Sequence, residues 1–95
     1  MTHPGTRLRA LIDRPDIAVL PGVHDALSAR IAAAQGFEGV LGSGNAATGT
    51  LLAAPDMGQL GMRDFADHYA RIAAAAGVPV LADADTGFGG VHNVA

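Results

Sequence analysis

Apolar positions along the chain fall into two patterns. Uninterrupted short runs occupy residues 17–20 (Ile-Ala-Val-Leu), 39–42 (Gly-Val-Leu-Gly) and 78–82 (Val-Pro-Val-Leu-Ala). Each is flanked by turn formers such as Pro21-Gly22 or Gly77, the pattern of short strands buried on both faces. Between them lie stretches with helical spacing. Residues 7–12 read as a short amphipathic helix that stops before Pro15. Asp25 is placed to cap a helix from Ala26 to about Gln35, with Leu27, Ile31 and Ala34 at i, i+4 and i+7 as its buried face and Gly36 just past its end. Residues 44–61 are rich in Gly, Ala and Pro and read as a long connection holding one short helix. From about Arg63 to Ala76, Phe65, Tyr69, Ile72, Ala73 and Ala76 form an apolar stripe. Asp64 and Asp67 lie in the first turns, where they favour the helix dipole, and His68 falls on the polar side.

Short apolar strands separated by helices predict an α/β fold with a parallel sheet covered by helices. Three strands cannot bury both faces of such a sheet. Their starts near 17, 39 and 79 have the spacing of βα units, eight of which make a barrel of about 250 residues. The expectation is a (β/α)8 barrel of which residues 1–95 supply about the first three units, as the amino-terminal part of one truncated domain.

Composition narrows the chemistry. Six arginines, no lysine and nine acids give a net charge of -3. With no basic cluster and few aromatic residues, nucleic acid is not an expected partner. No apolar stretch approaches the length of a membrane span, and the amino terminus lacks the apolar core of a signal peptide, so the expected location is the cytoplasm. The absence of cysteine and lysine removes thiolate and Schiff-base chemistry from these residues. No H-x-x-H spacing points to zinc, and Ser28 and Ser43 stand in no nucleophile-elbow motif.

In α/β folds the reactive residues follow the carboxyl ends of strands. After the third strand comes Asp83-x-Asp85-x-Gly87-x-Gly89. Two carboxylates two residues apart point the same way on an extended chain and repel unless a cation or proton lies between them. An open site of this kind suits Mg2+, with Mn2+ as an alternative; the other reading is that Asp85 caps a turn and Asp83 is solvated. After the second strand, Gly42-Ser43-Gly44-Asn45-Ala46-Ala47 can turn backbone N–H groups towards an anion, or simply form a tight turn. It also matches G-x-G-x-x-A, with Asp64 twenty residues after Gly44. A dinucleotide site is rejected because that acid should end a strand, whereas Asp64 opens a helix. Asp56, in Pro55-Asp56-Met57-Gly58, is most simply a turn residue, and it acquires a function only if its loop folds over the strand ends. His24 lies near the mouth and is expected to face solvent.

Taken in order, Leu8-Arg9-Ala10-Leu11-Ile12, the stretch from Pro21-Gly22-Val23-His24-Asp25 to Arg30, Ser43-Gly44, Pro55-Asp56-Met57-Gly58 and Ala82-Asp83-Ala84-Asp85-Thr86-Gly87-Phe88-Gly89 resemble the amino-terminal third of the isocitrate lyase/phosphoenolpyruvate mutase superfamily. The nearest branch is that of 2-methylisocitrate lyase, oxaloacetate decarboxylase and carboxyphosphonoenolpyruvate mutase. The resemblance implies a TIM barrel, a homotetramer when full length, Mg2+, and a small-molecule substrate with a 2-oxo or 2-hydroxy carboxylate. It implies cleavage of a 2-methylisocitrate-like C–C bond, or oxaloacetate decarboxylation, through a metal-bound enolate. By the same resemblance Asp83 is a metal ligand that also meets substrate, Asp85 binds the ion directly or through water, and Asp56 holds its waters. Ser43, Gly44 and Asn45 face the substrate carboxylate or oxyanion.

The chain also departs from that family's pattern. Leu41 stands where many members carry a tyrosine, and Asn45 replaces a frequent glycine. The catalytic Lys-Cys-Gly-His loop of the lyases, and with it the general acid, belongs to a downstream region, so no catalytic acid or base is assigned here. The alternatives are phosphoenolpyruvate mutase-type P–C chemistry, a ketopantoate hydroxymethyltransferase-like transferase, against which Thr86-Gly87 argues, and an inactive truncated remnant.

Overall fold

Local signals set the helix ends. In the computed structural model, which describes residues 3–84 and 87–89, the order is α1 (Pro4–Asp13), β1 (Gly22–Val23), α2 (Ala26–Ala34), β2 (Val40–Gly42), α3 (Gly44–Leu52), α4 (Met62–Ala76) and β3 (Val80–Ala82). Asp25 caps α2 as expected. The Ser28 N–H donates to its carboxylate at 2.8 Å, and the Asp25 N–H returns a bond to the Ser28 hydroxyl at 3.1 Å. Gly36 and Gly77, just beyond α2 and α4, take φ values of +101° and +70°, a backbone state that glycine adopts without strain.

The strands form one parallel sheet in the order β1-β2-β3, with Gly22 opposite Leu41, and Leu41 opposite Leu81. Because side chains alternate along a strand, Val23, Val40 and Val80 share the face covered by helices. There they join Ala29 of α2 and Ile72 and Ala76 of α4 in the main core. Leu41 and Leu81 lie on the opposite face, where Leu81 is 41% exposed. A parallel sheet normally buries both faces. Three parallel strands with helices packed on one face match the expected first βα units of a (β/α)8 barrel. A second cluster of Ala47, Leu60 and Phe65, joined by Tyr69 and Phe88, ties α3, α4 and the segment after β3 together. No helix among the described residues is long and apolar enough to cross a membrane.

Three expectations are corrected. The first strand is not 17–20: Ile17 is 85% exposed, and pairing begins only where the Leu41 N–H donates to the Pro21 carbonyl at 2.9 Å. Backbone register, which hydropathy does not encode, places the ladder beyond the apolar run. On α2, Leu27 and Ile31 are exposed, whereas Ala29 is fully buried. That helix is apolar nearly all round, so its periodicity selects no face; the close approach of α4 selects the small residue. His68, placed on a polar face, is buried, and its ring Nε2 lies 2.8 Å from the His24 carbonyl. A carbonyl only accepts, so Nε2 carries the proton.

Candidate functional site

Strand parity builds the site. Ser43 continues the Leu41 face of β2, and Asp83 continues the Leu81 face of β3, so both leave the sheet at its carboxyl end on the same side. The ladder runs one step past β3, because the Asp83 N–H donates to the Gly42 carbonyl at 2.9 Å. From Ser43 the chain turns straight into α3. The Ser43 hydroxyl oxygen accepts the Ala46 N–H at 3.2 Å, which leaves the hydroxyl proton available to donate outward. Gly44 and Asn45 are the first residues of α3, where N–H groups lack intrahelical acceptors and the helix dipole favours an anion. Gly44 is buried and Asn45 exposed.

Two carboxylates converge over that glycine. A Cβ placed on Gly44 would meet the Asp83 Oδ2 at 2.5 Å and the Asp56 Oδ2 at 3.6 Å. Both oxygens therefore approach one point, and the Asp83 oxygen stands where only a residue without a side chain admits it. The loop after α3 does fold over the strand ends. Its turn is held in shape by the Gln59 side chain, whose Oε1 accepts the Met57 N–H at 2.8 Å and whose Nε2 donates to the Pro55 carbonyl at 2.9 Å. Leu60 is buried immediately after it. The segment following Asp83 is anchored in turn. The Gly87 N–H donates to the Ala84 carbonyl at 2.8 Å, and the Phe88 ring packs on Phe65 with centroids 5.2 Å apart.

Close to the carboxylates lies Tyr69, which in the sequence is only one member of an apolar stripe. Its ring sits against Gly42 so closely that a Cβ there would come within 2.9 Å of ring carbon Cε1. Burial, followed by the charges of Asp83 and Asp56, pushes its phenol up to about 12. A glycine inside a strand is itself a signal of close approach, and Gly42 offered that clue.

The structure thus brings together Ser43, Gly44, Asp56 and Asp83, with Asn45 at the rim; Asp85 lies outside the described residues. His24 is exposed, with Nε2 3.5 Å from the Asp25 carboxylate. Asp25 serves its cap, and the Ser28 N–H holds its carboxyl below the usual range. Asp64 opens α4, accepting the Gly61 N–H at 2.9 Å, as the rejection of a dinucleotide site requires. A cleft of about 420 Å³ lined by Arg7, Leu11, Phe37 and Pro79 opens at the other end of the strands and contains none of these carboxylates. Among the described residues, no group of three or more His, Cys, Asp or Glu forms a complete metal cage. Two carboxylates at a helix amino terminus are nevertheless the hard oxygen donors that Mg2+ takes, in ones and twos, while keeping waters and substrate oxygens.

Comparison with known proteins agrees with this architecture. The sequence model of the phosphoenolpyruvate phosphomutase family matches residues 8–95. Among curated proteins, 2,3-dimethylmalate lyase of Eubacterium barkeri is 41% identical over 92 residues, covering 97% of this chain and 32% of its own length. 2-Methylisocitrate lyase of Aeropyrum pernix is 44% identical over 94 residues, covering 99% of this chain and 30% of its own. Among solved structures, oxaloacetate acetylhydrolase superposes with a TM-score of 0.87 at 35% identity, covering 95% of this chain and 33% of that one. The chain spans about a third of the length of the relatives it matches.

Proposed function

The chain belongs to the isocitrate lyase/phosphoenolpyruvate mutase superfamily, and from that premise we propose that it is the amino-terminal third of a Mg2+-dependent C–C lyase acting on a 2-hydroxy or 2-oxo carboxylic acid. The observation that carries this reading is the convergence of Asp83 and Asp56 on Gly44, at the start of a helix and the carboxyl end of a parallel sheet.

When bound, the divalent ion supplies positive charge that stabilises an oxyanion growing on the substrate. The chain's own residues do the rest of the work in this half of the site. Asp83 and Asp56, with Asp85 next in line, would hold the ion and its waters. The Ser43 hydroxyl proton and the N–H groups of Gly44 and Asn45 orient the substrate carboxylate. Their donors are fixed by the helix, so no reorganisation is needed as charge develops. The proton-transfer group is assigned to no residue here.

Pyruvate release by the full-length protein from 2-methylisocitrate, 2,3-dimethylmalate and oxaloacetate, with and without EDTA, tests the reading. Metal-dependent release that Asp83→Ala abolishes is expected. Turnover indifferent to EDTA or to Asp83→Ala contradicts it. The matched family's description keeps P–C chemistry as a second reading. Conversion of phosphoenolpyruvate to a phosphonate, with no pyruvate from the three acids, would favour it.

A further inference from the structure

Tyr69 lies in the apolar stripe of α4, yet it ends in a polar group. Its ring is pressed on Gly42: a Cβ there would lie 2.9, 3.0 and 3.4 Å from ring carbons Cε1, Cδ1 and Cζ. Phe65 holds the ring from the side, with centroids 5.5 Å apart. Gly42 leads directly into Ser43, pairs with Ala82, and accepts the Asp83 N–H. The ring therefore backs, from the helix-covered face, the strand ends from which Ser43 and Asp83 emerge. Its hydroxyl oxygen is buried, lies close to the Asp83 N–H, and finds no acceptor for its proton among the described residues. The nearby Asp83 N–H is committed to Gly42, and as a donor it gives the hydroxyl proton no acceptor. The charges of Asp83 and Asp56 both reach this oxygen. A phenylalanine would fill the same space without burying an unpaired polar group, and buried polar groups in folded proteins are rarely left unpaired.

We propose that Tyr69 is a positioning residue for the divalent-ion site, its hydroxyl donating to a water of the hydrated ion and so fixing where the Asp83 carboxylate stands. The glycine at position 42 admits the ring. The inference rests on the reading of Asp83 and Asp56 as the ion's holders.

The test is Mn2+ binding to the full-length protein, measured by electron paramagnetic resonance, with thermal melting in parallel. Tyr69→Phe removes one oxygen and keeps the ring packed. It is expected to weaken Mn2+ affinity about 10-fold, the usual effect of losing an outer partner of a metal site, with no fall in melting temperature. Gly42→Ala keeps the hydroxyl but displaces the ring, and should weaken affinity likewise. If the hydroxyl is only a buried orphan, Tyr69→Phe melts higher and binds Mn2+ as the wild type does, which overturns the proposal. Asp83→Asn separates the two levels. If it too leaves affinity unchanged, the metal reading itself has failed; if it weakens affinity while Tyr69→Phe does not, only the role of Tyr69 has failed.

Discussion

Gly44→Ala separates stability from function at the point where the two carboxylates meet. The new Cβ would stand 2.5 Å from the Asp83 Oδ2 and 3.3 Å from its Cγ. Comfortable contact needs about 3.5 Å, so the carboxylate must retreat by about 1 Å. It lies at the end of an exposed side chain, so side-chain rotation rather than a backbone shift relieves the contact. Folding also gains from the substitution, since alanine in a helical position loses less chain entropy than glycine, an effect of about 0.4–1 kcal/mol. The expected variant is therefore as stable as the wild type or slightly more so. Its carboxylate, however, is out of place, and a displacement of about 1 Å can lower turnover about 100-fold. Thermal melting and metal-dependent pyruvate release by the full-length protein, measured on the same preparation, read both effects. A Gly44→Ala protein with wild-type turnover would refute the placement of Asp83. A protein that fails to fold would refute the claim that side-chain rotation alone relieves the contact.

Other perturbations address the surrounding framework. Gly42→Ala drives a Cβ into a packed ring and should cost about 1–3 kcal/mol; Tyr69→Leu in the same chain should recover part of that, read as coupling in a double-mutant cycle by denaturant melts. Ile72 is fully buried between sheet and helices, so Ile72→Ala should cost about 2–5 kcal/mol in the same assay. His68→Phe removes the donor to the His24 carbonyl and should cost about 1 kcal/mol, read as a lower melting temperature. Burial and the charges of Asp83 and Asp56 push the Tyr69 phenol up to about 12 in the folded chain, against about 10 when unfolded. A raised acid favours its neutral form, so the stability it contributes is whole below pH 10 and is lost as pH rises from 10 to 12. A phenolate absorbance titration, with Tyr69→Phe as the blank, should show that high midpoint, and a midpoint near 10 would contradict its burial.

What could be read from sequence was what local chemistry decides. Asp25, Gly36 and Gly77 mark helix ends through bonds and dihedral angles reaching only a few residues. The Asp83 and Ser43 loops were legible because strand order alone places such loops at one end of a sheet. Residues whose roles depend on a partner far along the chain were not. Strand β1 is set by pairing with Leu41, not by the apolar run before it. On α2, the approach of α4 buries Ala29 and leaves Leu27 outside. The fate of Asp56 hung on a loop whose turn Gln59 holds in shape through two bonds to its neighbours. His68 and Tyr69 look like any polar and apolar members of a helix until the fold brings His24 and Gly42 against them.

On this reading Asp83 belongs to a divalent-cation site at the carboxyl end of the sheet. Calorimetric titration of Mn2+ into the full-length protein and into Asp83→Asn tests it most directly. The wild type should bind, and the variant should bind about 10-fold more weakly or worse. Equal affinity in the two proteins would contradict it.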